Sequence, residues 1–170
     1  YMAAIASADF DYIRTLVCQT SGIVLDHGKE YLVESRILPL ARRLQLPSIA
    51  AVVEVLRKGT DADVKKKVIE AMTTNETTFF RDVAPFDALR TGVLPRLIEA
   101  RQTSRALRIW CAASSTGQEP YSLAMLLAEH FPALESWDVS IVASDLSTDV
   151  LDRARAGRYS QLEVNRGLPA

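Results

Sequence analysis

Glu119 and Asp145 are the residues of this chain best placed to act on a small ligand. Glu119 follows the run Ala112-Ala113-Ser114-Ser115-Thr116-Gly117, in which every side chain is small. Small residues let a ligand approach the backbone closely, and Gly117 can take positive φ. A helix starting after Gly117 offers unpaired N–H groups and the positive end of its dipole. That geometry ordinarily suits a phosphate. A carboxylate at the helix mouth repels phosphate, so Glu119 favours a ligand bearing an ammonium, a sulfonium or hydroxyl groups; the alternative is that it merely caps the helix. Asp145 ends the apolar stretch "DVSIVASD". In open α/β sheets ligands bind beyond the carboxyl ends of the strands, where an acid takes ribose hydroxyls. The alternative for Asp145 is an N-cap for a helix beginning near Ser147. Together the two acids describe a nucleoside without pyrophosphate, and S-adenosylmethionine fits: adenosine, a sulfonium, an ammonium and a carboxylate.

Other chemistries find no residues to carry them. There is no GxxxxGK[ST] to cradle a nucleotide triphosphate. The serines of "AASSTG" lack a GxSxG frame, and His27 and His130 are the only histidines, so neither a hydrolase triad nor a metal site is expected. A net charge of -1 gives no global field toward nucleic acid. No apolar run reaches the length of a membrane span, and no basic segment heads the chain as in a signal peptide, so a cytoplasmic protein is expected. Cys18 and Cys111 read as two reduced, buried thiols. The Lys65-Lys66-Lys67 run reads as a solvated helix face, and the Asn75-Glu76-Thr77 glycosylation pattern as chance.

The elements that must position the two acids lie in the second half. "LRIWCAA" reads as a strand apolar on both faces, as a buried parallel strand is. "YSLAMLLAEHF" reads as a helix with Pro120 at its first position, "DVSIVASD" as a second strand, and "STDVLDRARAG" as a helix capped by Ser147 and closed by Gly157. Strand, helix, strand, helix begins an α/β unit. Before it, "APFDALRTGVLPRLIEARQ" reads as helix, with Pro85 near one start and Pro95 marking another. The first ~75 residues carry four amphipathic helices. These are capped by Asp9, Asp26, Ser48 and Asp61 in turn, with Gly22 and Gly59 as stops and a kink near Ser35 from Pro39. The fold class is therefore α followed by α/β: an all-helical domain over residues 1–74, a polar and aromatic linker over 75–84, and the start of an α/β domain over 85–170.

At "TTNETTFFRD", "ASSTGQEPYSLAM" and "VASDLSTDVLDRARAGRY" the chain resembles the chemotaxis receptor methyltransferases, the CheR family, with the blocks in that family's order and spacing. The resemblance implies a small helical domain followed by a Rossmann-like S-adenosylmethionine-dependent methyltransferase domain. The reaction it implies is methylation of glutamate side chains on the cytoplasmic domain of methyl-accepting chemoreceptors, with S-adenosylhomocysteine as product. It assigns cofactor contacts to Asn75, Thr77, Arg81, Glu119 and Asp145. It also places Arg36, Arg42 and Arg43 on a receptor-facing helix whose positive charge would steer an acidic partner; Pro39 departs from a position often basic in the family. Because a glutamate carboxylate is ionised near pH 7 (reference pKa ~4.3), the acceptor needs no general base. The task is orientation and exclusion of water, with Arg81 expected as the catalytic grip on a carboxylate.

The family's later strands and its Asn-Leu and Cys-Arg-Asn-Val blocks are not among these 170 residues. The chain is thus expected to act as the front part of such an enzyme, to bind cofactor weakly by itself, and to pair with a second copy through an open sheet edge. The competing reading is a non-catalytic module with a methyltransferase-like fold that binds the cofactor or its product, or docks on a receptor.

Overall fold

The structure, a computed structural model, describes residues 5–168. The chain divides into two compact units, one ending at Thr74 and the other starting at Asn75.

The first unit consists of four helices: α1 (Ser7–Ser21), α2 (Glu30–Arg43), α3 (Ile49–Lys58) and α4 (Ala62–Met72). Helical spacing puts Phe10, Ile13 and Val17 of α1 on one stripe. They meet Val33, Ile37 and Leu40 of α2, Val52 and Val53 of α3, and Val68 and Met72 of α4 in a single core. Each such side chain taken fully out of water contributes about 1.5–3 kcal/mol. Two of the expected caps form. The Ser48 hydroxyl accepts from Ala51 N at 3.2 Å, and Asp61 accepts from Asp63 N and Val64 N at 3.0 and 3.1 Å. The other two do not. Ala6 stands at the N-cap of α1 and Lys29 at that of α2, neither with a side-chain bond, so Asp9 lies inside the first turn and Asp26 precedes its helix. An acid in the first turn still benefits from the helix dipole. Helix α2 runs unbroken through Pro39, which sits on its exposed side. Cys18 is exposed rather than buried, because it falls off the apolar stripe of α1.

The second unit opens with the linker and then a helical run: α5 (Val83–Ala88), a π turn (Leu89–Val93) and α6 (Leu94–Ala100). Sequence predicts two helices separated at Pro95. The π turn explains why the run continues: Leu94 N–H bonds Leu89 O, five residues back. The wider turn relieves the crowding a proline ring otherwise imposes on the carbonyl four residues before it. Strand β1 (Ala106–Ala112), α7 (Gln118–His130), a 3-10 turn (Pro132–Ser136), β2 (Asp138–Ser144), α8 (Thr148–Ala156) and α9 (Gln161–Asn165) follow. The two strands are parallel and in register from Ala106 opposite Asp138 to Ala112 opposite Ser144.

One face of this sheet, with Leu107, Ile109, Val139 and Ile141, packs against Leu94, Leu126, Leu127 and Leu134. The other face corrects the expectation of a strand buried on both sides. Trp110 is 71% exposed and Val142 58%, and the Trp110 indole N–H reaches across to the Ser144 hydroxyl at 3.0 Å. Arg108 and Asp138 pair on the same face. Among the described residues each strand has one neighbour, so each keeps one unpaired edge.

Candidate functional site

The site is built where β1 and β2 end. Ser114 N continues the ladder to Ser144 O at 2.9 Å, and the chain then turns sharply. Alternate residues of the turn are left-handed: Ala113 at φ 57°, Ser115 at 49° and Gly117 at 97°. Such conformations are costly for non-glycine residues and persist only where the surroundings fix them. Here the fixing group is Asp145. One of its carboxylate oxygens accepts from Ser115 N at 2.8 Å and the other from Ser147 N at 2.9 Å. Amides exposed by turns of this kind attract anions, and at Ser115 the protein's own carboxylate supplies the anion. This is a second reason, independent of Glu119, that the turn is not a phosphate cradle.

The glycine has a different use from the one its type suggests. A Cβ on Gly117 would lie 2.9 Å from both Ala154 Cβ and the Tyr159 hydroxyl. Its smallness therefore serves the close approach of α8 and Tyr159 to the turn. Tyr159 donates to Thr116 O at 2.7 Å and sets its ring edge-on to Phe79, centroids 4.9 Å apart.

Helix α7 starts at Gln118, two residues before the expected first position at Pro120, with Gly117 as N-cap and no side-chain cap bond. Pro120 is then the third helical residue, still among the first four N–H positions that lack an intrahelical acceptor. Glu119 is exposed and caps nothing; its carboxylate lies close enough to the Cys111 thiol at the end of β1 for its charge to act on it. Burial, and then this carboxylate, push the Cys111 thiol up to about 11.

The linker lies on the turn. Asn75 O accepts from the Ser115 hydroxyl at 2.8 Å, and Phe80 N donates to the Ser122 hydroxyl at 3.0 Å. Arg81 is exposed, and its guanidinium donates to Glu76 O at 2.8 Å, closing a short loop. Thr77 lies within that loop and is half-buried. Asn75, Ser115 and Asp145 are thereby joined in one chain of contacts. In the helical unit, Arg36 donates to Met72 O, Thr73 O and the Thr74 hydroxyl at 2.7, 3.0 and 3.1 Å. It tethers the carbonyl end of α4, whereas Arg42 and Arg43 at the end of α2 are exposed. The expectations gave Ser115 only as a small residue of the turn and Cys111 only as a buried thiol, and missed Ser122 and Tyr159; a hydroxyl gives no signal until its partner is known.

S-adenosylmethionine fits these groups on three observations. The Ser114 hydroxyl is buried at the turn without a hydrogen-bond partner. The Asp145 carboxylate keeps acceptor capacity after taking two amides, since a carboxylate offers about four lone-pair sites. Glu119 presents an exposed carboxylate at the same turn. Hydroxyl, ammonium and sulfonium groups match that set and a phosphate does not. No group of acids, histidines and cysteines suited to a metal occurs among the described residues.

A parallel α/β sheet with a strained small-residue turn and an acid at the end of its second strand defines a nucleoside-binding α/β protein. Comparison with known proteins narrows the class. The family model for the CheR methyltransferase all-alpha domain matches residues 8–73, and that for the CheR methyltransferase SAM binding domain matches residues 75–170. The chain belongs to the CheR methyltransferase family, whose SAM-binding domain takes S-adenosylmethionine as cofactor. It is 44% identical over 167 residues to chemotaxis protein methyltransferase 1 of Pseudomonas aeruginosa, covering 96% of this chain and 60% of the relative. Chemotaxis protein methyltransferase 1 of Vibrio cholerae is 43% identical over 98% of this chain and 61% of the relative. The chemotaxis protein methyltransferase of Escherichia coli K12 is 36% identical over 98% and 55%. The chain thus spans about 60% of the length of the first two relatives.

Proposed function

We propose that this chain is the helical domain and the leading part of the cofactor domain of a protein-glutamate methyltransferase acting on the cytoplasmic domains of chemoreceptors. The observation that carries the reading is Asp145, held by two backbone amides at the end of β2 beside a turn whose second acid, Glu119, is free of any capping role. In this reading Asp145 takes the ribose hydroxyls. Glu119 faces the cationic part of the cofactor, and Asn75 and Thr77 contact it from the linker.

When bound, S-adenosylmethionine supplies a methyl group electrophilic enough to be taken by an ionised carboxylate. The chain's residues therefore have no proton to move; they orient and exclude water. Arg81 is the group suited to hold a carboxylate, on the substrate glutamate, the cofactor or both, by a two-point grip. Its bond to Glu76 O occupies one guanidinium nitrogen and leaves donors for a ligand. Arg42 and Arg43 would meet an acidic receptor surface; Arg36 shares that helix but is committed to α4.

No described helix is long and apolar enough to cross a membrane. The bare sheet face and open strand edges lead us to expect weaker cofactor binding than in a full-length relative, and pairing between copies at high concentration, to be read by calorimetry and sedimentation. The deciding experiment is transfer of labelled methyl from S-adenosylmethionine to a receptor cytoplasmic fragment, with the chain joined to the remaining length its relatives have. Base-labile label on receptor glutamates, lost in Arg81→Ala, is the expected result; transfer at an undiminished rate in Arg81→Ala removes Arg81 from the mechanism, and no transfer at all removes the enzymatic reading.

A further inference from the structure

We propose that Ser115 and Ser122 are positioning residues that seat the linker on the turn, so that the cofactor meets a linker already in place; the inference rests on the S-adenosylmethionine reading above. The linker from Asn75 to Thr78 lies outside any helix or strand, so its order comes from elsewhere. Beside the Arg81–Glu76 bond and the buried Phe79 ring, two hydroxyls pin its ends to the turn and to α7. At the leading end the Ser115 hydroxyl donates to Asn75 O at 2.8 Å. At the trailing end the Ser122 hydroxyl accepts from Phe80 N at 3.0 Å while donating to Gln118 O at 2.7 Å. Ser122 is fully buried and Ser115 nearly so, which shields both bonds from water.

Phe80 sits at φ 45°, a conformation bulky residues avoid. A strained residue of this kind persists only where its neighbours over-determine it, and the bond from its N–H to Ser122 is such a constraint. Between the pins Phe79 is buried, with the Tyr159 ring against it. Ser115 is also the residue whose amide holds Asp145. One residue therefore fixes the acid through its backbone amide and the linker through its hydroxyl. Ordering a loop before binding removes that cost from the binding step.

The test compares Ser115→Ala and Ser122→Ala with the parent chain in two measurements. The first is amide exchange by NMR without ligand. Exchange at Phe80 in Ser122→Ala, and across 75–81 in Ser115→Ala, is expected to rise about tenfold while β1 and β2 keep their protection. The second is the dissociation constant for S-adenosylhomocysteine, expected to rise about tenfold in both variants with unchanged stoichiometry. A purely structural role would lower the melting temperature without this selective loss. Unchanged linker exchange, or faster exchange with parental affinity, overturns the positioning role alone. If the parent chain joined to the remaining length its relatives have also binds no S-adenosylhomocysteine, the cofactor reading falls and the positioning role with it. Should Ser122→Ala also lose strand protection, Ser115→Ala, at the other end of the linker, decides the matter.

Discussion

The buried Cys111 thiol at the end of β1 lies close enough to the Glu119 carboxylate, in the first turn of α7, to feel its charge. The thiol's pKa rises from 9.0 to about 11, chiefly through burial and then through the negative charge of Glu119. In that interval the folded state holds a proton the unfolded state has lost, so stability falls as pH climbs from about 9 toward 11. Denaturant midpoints taken from pH 8 to 10.5 should drop, and Cys111→Ala should flatten the decline. Iodoacetamide at pH 8 should modify the exposed Cys18 and spare Cys111.

Gly117 is expected to tolerate no side chain. Alanine there meets Ala154 and Tyr159 at 2.9 Å and must hold φ near 97°. Overpacking and left-handed strain together should cost about 2–4 kcal/mol. Gly22→Ala is the control: its φ is 74° but nothing lies within 4 Å, so only the strain remains, about 1–2 kcal/mol. Urea denaturation of the two variants separates the contributions.

Asp145→Asn keeps the size of the side chain but turns an NH2 group toward an amide donor. One of the bonds to Ser115 N and Ser147 N must be lost, leaving a donor unsatisfied at a cost of about 1–3 kcal/mol. In the proposed reading, affinity for S-adenosylhomocysteine falls at least about tenfold as well, since a carboxylate-to-hydroxyl bond is charge-assisted. Calorimetry and thermal melting read the two effects separately.

Arg36 and Arg42 share a helix and should part company on mutation. Arg36→Ala removes three contacts to the end of α4 and is expected to destabilise the helical domain by about 1–3 kcal/mol. Arg42→Ala should stay within about 0.5 kcal/mol, as exposed substitutions usually do. If the receptor-facing proposal holds, Arg42→Glu with Arg43→Glu slows methyl transfer to a receptor fragment, most strongly at low salt, without moving the melting temperature.

The helical unit was legible because its signals are local. Phe10, Ile13 and Val17 fall on a 3.6-residue stripe, and Ser48 and Asp61 sit where caps belong. The strand–turn–helix order was legible from apolar runs bounded by small residues. What was hidden depended on partners distant in sequence. Gly117 reads as a ligand-approach glycine until Ala154 and Tyr159 are seen beside it. The capping box of Ser160 and Glu163, which starts α9, is a local signal and was readable in principle. The π turn was not: Pro95 alone suggests a break, and only the Leu94–Leu89 bond shows how the helix absorbs it.

The half-bare sheet also gives the molecule an optical handle. Trp110 and Trp137 are its two indoles, and they report from opposite situations: Trp110 stands 71% exposed on the open face, while Trp137 is half-buried against the leucine cluster. Trp110 should dominate the red edge of the emission and be the indole that iodide quenches. Any surface laid across that face would shift its emission to the blue and shield it from the quencher. Association there becomes visible with the residues already present, and Trp110→Phe supplies the blank.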